Sequence, residues 1–180
     1  MNSRPGLHAF AFQNGDWRVR HRKLRYRLAN CDQWDEFEGT CRAWELLGGA
    51  GNVDDHWIGD PAGPYAAATL RRLEPDGLWS IWWIDSRRSG LDSPMHGSFE
   101  HAVGTFYGKD EFNGRPIDVR FIWSTPTLDK PRWEQAFSAD RSQTWETNWI
   151  MDFEAVSEAP SNRVPMLGST ALPQLLPKTC

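Results

Sequence analysis

The sequence feature that most constrains the fold is a tryptophan-rich pair of alternating segments at residues 132–153. One face of the two segments carries mostly large apolar side chains: Trp133, Gln135 and Phe137, and then Trp145, Thr147, Trp149, Met151 and Phe153. Alternation with a period of two residues predicts two antiparallel strands joined by the polar turn at residues 139–143. Because an isolated hairpin cannot enclose three tryptophan rings, other strands must close around it.

Similar short segments recur along the rest of the chain, separated by turn signals such as Gly48-Gly49 and Asn113-Gly114. We predict about ten strands and no long helix, which makes the fold all-β. The first strand is expected over residues 17–28, with a bulge near Lys23 where the apolar alternation shifts by one residue. Sequential hairpins favour an up-and-down antiparallel barrel with room for a small ligand, and a two-sheet sandwich is the alternative.

The composition divides the chain into three regions. Residues 1–14 are predicted to form a lead-in with a short helical turn, residues 15–156 the barrel, and residues 157–180 an irregular, proline-rich tail. We expect the tail either to pack along the barrel through its leucines or to engage a partner.

The charge balance limits the classes of partner. The chain has eleven tryptophans and nine phenylalanines but a net charge of only −4, so no nucleic-acid partner is expected. A basic run at residues 18–27 is interpreted as a solvated outer strand face or a blunted sheet edge. No apolar run reaches ~18 residues, and the first residues lack the pattern of a signal peptide. We therefore expect no membrane partner and a cytoplasmic location, and a homodimer is left open.

Cysteine and histidine spacing predicts no metal site. The three cysteines form no Cys-x-x-Cys pair, no two histidines are four residues apart, and reduced thiols are expected. Haem would need an axial imidazole such as His56, His96 or His101. Because the chain has no haem-attachment motif, no cofactor is expected.

Five stretches in chain order carry a resemblance to a known family: residues 15–19 (GDWRV), 47–54 (LGGAGNVD), 79–87 (WSIWWIDSR), 104–108 (GTFYG) and the final hairpin. Together they resemble a lipocalin-like (calycin) barrel, and more narrowly a bacterial, tryptophan-rich lipocalin-like family without an assigned function. The resemblance implies a barrel whose internal pocket holds a small, mostly apolar molecule.

The densest polar cluster of the sequence lies at residues 52–57. On a strand, Asn52, Asp54 and His56 project to one face, and the alternate residues project to the other. The sequence leaves open which face points into the barrel. If the first set is inside, Asp54 is expected to orient His56, and His56 to act as a tuned base. His21 is the other candidate for an interior imidazole.

Single residues on other strands are further candidates for contact with a ligand. Trp82 belongs to the tryptophan-rich fifth strand, where rings are expected to line the cavity. Arg87 is predicted at the barrel rim, where it would either clamp a carboxylate or phosphate of a ligand or form a salt bridge to Asp85 or a neighbouring loop. Tyr107 could donate its hydroxyl to a ligand or simply pack in the core.

Three polar residues on three successive strands, Arg120, Glu134 and Asn148, would be neighbours if the registers match. They are predicted to form either a structural network or the polar floor of a pocket.

These features lead to three hypotheses for function. The first is a binding module that holds a small hydrophobic or aromatic molecule in the barrel. The second is a cofactor-independent enzyme, an isomerase, cyclase or lyase, that uses His56 and Asp54 with Tyr107 or Arg87 for acid–base work. The third is an interaction protein that acts through its tail. Sequence motifs for nucleophilic or nucleotide-dependent chemistry are absent.

Overall fold

The computed structural model describes residues 6–125, 127 and 130–156, and ten strands account for most of them. The strands are β1 (Gly15–Leu24), β2 (Trp34–Leu46), β3 (Gly51–Ile58), β4 (Tyr65–Leu73), β5 (Trp79–Asp85), β6 (Met95–Glu100), β7 (Val103–Phe112), β8 (Arg115–Ser124), β9 (Arg132–Ser138) and β10 (Glu146–Ala155). Two 3-10 helices of three residues each, Ala11–Gln13 and Leu47–Gly49, accompany them. No helix in this described part of the chain has the length and apolar character needed to cross a membrane.

The strands form one closed antiparallel barrel. Each strand pairs with its neighbour in sequence, and β1 pairs with β10 to complete the ring. This order confirms the predicted all-β, up-and-down barrel and rules out the two-sheet sandwich. Closure gives every strand a paired neighbour on both sides, which removes the edge strands that an open sheet would expose.

Period-two alternation decides which side chains fill the interior. On β4, the buried side chains are those of Tyr65, Ala67, Thr69, Arg71 and Leu73, while the residues between them face outwards or are partly exposed. Four of these five are apolar or small, so Arg71 is an arginine on the face that packs inside the barrel.

The sequence misplaced one irregularity. The pairing of β1 with β2 runs without a shift from Gly15 to Leu24, where β1 ends, so the bulge predicted near Lys23 is wrong. A register shift occurs instead in β10, between Thr147 and Trp149. The change of apolar phase after Lys23 marks the end of a strand, and the chain then turns towards β2.

The segment before β1 closes one end of the barrel. The ring of Phe10, which is 1% exposed, lies 4.9 Å from the Trp79 ring and 5.0 Å from the Phe99 ring. Trp17 donates its indole N–H to the backbone oxygen of Gln13 at 2.7 Å, which fixes the segment to the first strand. We call this closed end the floor. The opposite end, at the turn that connects β1 to β2, is called the mouth.

The predicted tail, residues 157–180, lies outside the described residues, as does Cys180. Cys31 and Cys41 are free thiols.

Removing the floor ring should destabilise the barrel. Phe10→Ala deletes a fully buried ring, and we expect the free energy of unfolding to fall by about 3–5 kcal/mol. Urea titrations followed by tryptophan fluorescence measure the change. Tyr26→Ala, at a position that is 62% exposed, is the matched control and should cost less than ~0.5 kcal/mol. Equal losses in the two variants would show that the segment does not close the barrel.

Candidate functional site

The barrel encloses a cavity of about 130 Å³ that opens at the mouth. A second, deeper space of about 20 Å³ shares four of its lining residues, Ile81, Trp83, Phe121 and Trp133. The deeper space has room for about one water molecule. The two spaces therefore adjoin, and together they form a lumen that runs from the mouth towards the floor.

Aromatic rings build the walls of the lumen. Trp149 lies edge-on to Trp133, with ring centroids 5.5 Å apart, and edge-on to Trp83, with centroids 5.9 Å apart. Phe121 packs on Trp133 at 4.8 Å. Edge-to-face and tilted ring contacts of this kind hold each ring in a defined orientation and so give the walls a defined shape.

Charged side chains surround the mouth. Five cationic residues and three carboxylates line the outer cavity: Lys23, Arg27, Arg87, Arg88 and Lys109, with Asp85, Asp92 and Asp110. The mouth is thus rich in cations in a chain whose net charge is −4. The predicted basic run supplies two of these residues, Lys23 and Arg27, while Arg18 and Arg20 face solvent as expected of an outer strand face.

Arg87 lies at the rim, as predicted, but its guanidinium is already paired with a carboxylate of the protein itself. Its guanidinium donates to both carboxylate oxygens of Asp85, with N–O distances of 2.9 and 2.5 Å. It also stacks over the Tyr65 ring, 3.4 Å from the centroid. Of the two predicted roles, pairing with Asp85 is therefore the one that the contacts display.

A buried polar network lies at the deep end of the lumen. Arg71 donates one hydrogen bond to the Asp54 carboxylate and another, at 2.5 Å, to the side-chain oxygen of Asn52. The second Asp54 oxygen accepts the backbone N–H of Thr69 at 2.9 Å and lies 3.1 Å from Nε2 of His56. Asn52, Asp54 and His56 thus all point inwards, and the deep space is bordered by Arg71 and His56.

The charges of this network fix its protonation. Burial alone would raise the pKa of Asp54, but Arg71 and His56 outweigh it and lower that pKa well below its ordinary range. Burial likewise lowers the pKa of His56, but the Asp54 carboxylate, with a smaller contribution from Cys41, raises it to about 10. At neutral pH His56 is therefore an imidazolium, which can donate a proton or stabilise negative charge but cannot accept a proton as a base.

His21 is a buried histidine with the opposite character. Its Nδ1 accepts the indole N–H of Trp149 at 3.2 Å, and its ring stacks on Phe37 with centroids 4.9 Å apart. Burial lowers the pKa of His21 to about 3, so the ring is neutral. A side chain at Gly39 would place its Cβ 2.6 Å from Nε2 of His21, so only glycine leaves room for the ring there. His21 is thus a structural residue of the barrel wall.

One group of side chains offers metal-ligand atoms. Cys41, Asp54 and His56 each present one such atom, and these lie within 4.8 Å of one another. Arg71 donates to the same Asp54 carboxylate, and its positive charge opposes a metal ion at that point. Of the three histidines considered for haem, His56 faces the lumen, whereas His96 and His101 are exposed.

Two predicted ligand contacts lie on the outer wall. Trp82 falls between Ile81 and Trp83 on β5, so the alternation turns Trp82 outwards and Trp83 into the lumen. Tyr107 is 51% exposed and lies next to Phe106, which is the buried residue of that pair. Both predictions of a lumen contact are wrong because they named the neighbour of the inward-facing residue.

The predicted network of Arg120, Glu134 and Asn148 does not form. Cross-strand pairing places Arg120 opposite Ala136, not Glu134, and its guanidinium lies over the Trp145 ring at 4.7 Å. Glu134 faces outwards, 3.8 Å from Arg132. The shift in β10 buries Asn148, whose oxygen accepts a hydrogen bond from Gln135 at 2.8 Å. The registers therefore separate the three residues.

Sequence reasoning missed Arg71 and Arg27. The sequence pattern could have indicated Arg71, because this residue falls on the buried face of an otherwise regular alternating strand. No local pattern indicated Arg27, because it follows β1 and its position depends on how the chain turns there.

A larger hollow of about 660 Å³ lies on the outer wall beside β1 and β10. Its polar walls are occupied by surface ion pairs such as Arg132 with Asp152 at 2.6 Å, and it lacks the packed aromatic walls of the lumen. The lumen is the better candidate site because small-molecule sites combine apolar walls with a few convergent polar groups.

Asp54 should be essential for stability. In Asp54→Asn, Arg71 and His56 lose the carboxylate that compensates their buried charge, and we expect a loss of about 3–5 kcal/mol in the free energy of unfolding. Asp55→Asn, the same change on the outer face of the same strand, should leave that free energy nearly unchanged. Urea titrations at neutral pH compare the two, and similar losses would contradict the buried network.

The two interior histidines should give the stability a maximum near pH 6.5, their ordinary pKa. The lowered pKa of His21 gives stability that is present above pH 6.5 and is lost as the pH falls towards about 3. The raised pKa of His56 gives stability that is present below pH 6.5 and is lost as the pH rises towards about 10. Each slope can reach about 1.4 kcal/mol per pH unit.

Unfolding titrations between weakly acidic and weakly alkaline pH measure both slopes. His21→Gln should flatten the acidic side alone, and His56→Gln the alkaline side alone. An alkaline slope that survives in His56→Gln would mean that the imidazole is not held as a cation.

Comparison with known proteins supports the fold. No protein-family model matches the chain, and no curated protein matches it. Among solved structures, the crystal structure of Rv2717c from M. tuberculosis is similar, with a TM-score of 0.60 and 12% sequence identity over 85% of this chain and 98% of that chain. At this identity the likeness concerns the fold alone.

Proposed function

We propose that the barrel binds a small hydrophobic or aromatic molecule in its lumen. The observation that carries this proposal is the aromatic cavity of about 130 Å³ that is open at the mouth. Cavities of about 150 Å³ with apolar walls bind benzene in an engineered protein, so this one suits a ligand with a single ring or a body of similar size.

The packing of the cavity walls favours a ligand-binding role over a purely structural core. A core that serves stability alone is packed to the density of an organic crystal, and voids of this size in it are rare and costly. Here Trp83, Trp133 and Trp149 hold one another around a space instead of filling it. The resemblance of the sequence to lipocalin-like barrels belongs to the same proposal, since barrels of that kind enclose ligand cavities.

The enzyme hypothesis has one observation in its favour. Asp54 and His56 lie inside the barrel, and His56 borders the deep space next to the proposed ligand. Its charge suits a proton donor or a cation facing developing negative charge, whereas the expected role of base requires a neutral ring. Binding is therefore the leading function, and an isomerase, cyclase or lyase remains the second candidate.

Filling the lumen should abolish binding. Ile81 is 3% exposed and lines both spaces, while Ile84 on the same strand is 38% exposed on the outer wall. We expect Ile81→Phe to prevent binding of the neutral single-ring probe para-fluorobenzamide, because the added atoms occupy the ligand's volume. Ile84→Phe, the matched control, should bind the probe as the wild type does.

Fluorine NMR of the probe titrated with protein measures the dissociation constant of each variant, and thermal unfolding confirms that both are folded. Binding that persists unchanged in a folded Ile81→Phe variant would place the ligand outside the lumen.

A further inference from the structure

The mouth of the lumen holds more cations than its own carboxylates neutralise. Three of its five cationic side chains have carboxylate partners: Lys23 with Asp60 at 2.7 Å, Arg87 with Asp85 at 2.5 Å, and Arg88 with Asp92 at 3.7 Å. The remaining two, Arg27 and Lys109, make no ion pair with any residue that the structure describes. Asp110 is the remaining carboxylate of the mouth.

Arg27 is the better placed of the two unpaired cations. Its side chain is partly buried, whereas Lys109 is exposed to solvent. The guanidinium carbon lies 5.8 Å from the Phe137 ring and 6.0 Å from the Phe112 ring, and Phe137 also lines the cavity. Arg27 is thus held by aromatic faces at the boundary between the apolar walls and solvent.

A partly buried guanidinium without a carboxylate is an unfavourable arrangement for the empty barrel. Arginine stays charged in proteins, and its charge has lost part of its hydration here. Aromatic faces compensate only a fraction of that loss. A planar carboxylate would pair best with this guanidinium, because its two oxygens match the two parallel N–H donors.

The charge balance at the mouth sets the charge of the ligand. The two charges within each ion pair at the mouth cancel one another. The charges of Arg27, Lys109 and Asp110 then sum to one positive charge that no carboxylate of the mouth compensates. A ligand with one negative charge balances it, whereas a phosphate dianion would leave an excess of negative charge beside Asp85, Asp92 and Asp110.

We propose that the ligand is a small carboxylic acid whose carboxylate binds Arg27 at the mouth while its apolar body occupies the aromatic cavity. This inference rests on the proposed function, and it names Arg27, not Arg87, as the residue that recognises the acid. The imidazolium of His56 and the guanidinium of Arg71 at the deep end add a favourable potential along the lumen, since Asp54 neutralises only one of these two charges.

The test compares two probes of nearly the same shape, para-fluorobenzoate and para-fluorobenzamide, by fluorine NMR. The wild type should bind the acid about tenfold more tightly than the amide, the factor expected for one charge-assisted hydrogen-bond pair. In Arg27→Leu the dissociation constant of the acid should rise most of the way to that of the amide, and the amide should bind as before. Arg27→Lys, which keeps the charge without the fork, should retain part of the preference.

Arg22→Leu is the matched control, because Arg22 lies outside the residues that line the cavity and its loss changes the net charge equally. It should leave the preference for the acid intact. Equal binding of acid and amide by the wild type would overturn the inference and leave the proposed function standing. If neither probe binds, the proposed function fails and this inference with it. If Arg27→Leu and Arg27→Lys lose both probes equally, Arg27 only shapes the cavity and the inference is wrong.

Discussion

The ion pair between Arg71 and Asp54 is the interaction on which the interior of the barrel depends. Both side chains are buried among aromatic rings, where an isolated charge would be very costly. Their pairing joins β3 to β4, and Asn52 extends the network to Asn14 of the floor segment at 3.2 Å. The Arg71 guanidinium also lies 4.9 Å from the Phe10 ring. This ion pair therefore connects the barrel wall to the floor. Its carboxylate also keeps His56 protonated.

The lumen combines rigid apolar walls with charge at both ends. Trp149 contacts Trp83 and Trp133 edge to face, and Phe121 packs on Trp133 in a tilted contact, so the rings support one another around the cavity. At the mouth three of the five cations pair with carboxylates, so under the proposed function selectivity would rest on the two that do not. Such a division suits a site in which shape is provided by the walls and specificity by one or two polar contacts.

The sequence predicted the barrel well because alternation and turn signals are local properties. The two-residue spacing of Asp54 and His56 likewise placed them on one face, and the buried side chain of Asn52 on the same strand fits that pattern. Choosing between faces is harder, since an error of one residue exchanges inside and outside, and for that reason Trp82 was named instead of Trp83.

Predictions that joined separate strands failed for a different reason. The neighbours of Arg120 and Glu134 depend on the register between β8 and β9, and the position of Asn148 depends on the shift in β10. No local pattern in the sequence encodes either of them. The position of Arg27 depends on the turn after β1, and the pairing of Arg87 with Asp85 depends on side-chain geometry at the rim. Long-range register and turn conformation thus set the limit of what the sequence alone could show.

The mutual contacts of Trp83, Trp133 and Trp149 have a spectroscopic consequence. The plane of Trp149 is nearly perpendicular to those of Trp133 and Trp83, at centroid distances of 5.5 and 5.9 Å, so Trp149 shares excitation energy with both rings. Their coupled transitions give circular dichroism in the near ultraviolet that depends on their relative orientation. A molecule that enters between them changes both the coupling and the polarity around the rings. The barrel therefore carries an internal optical reporter at the very place where a ligand would lie.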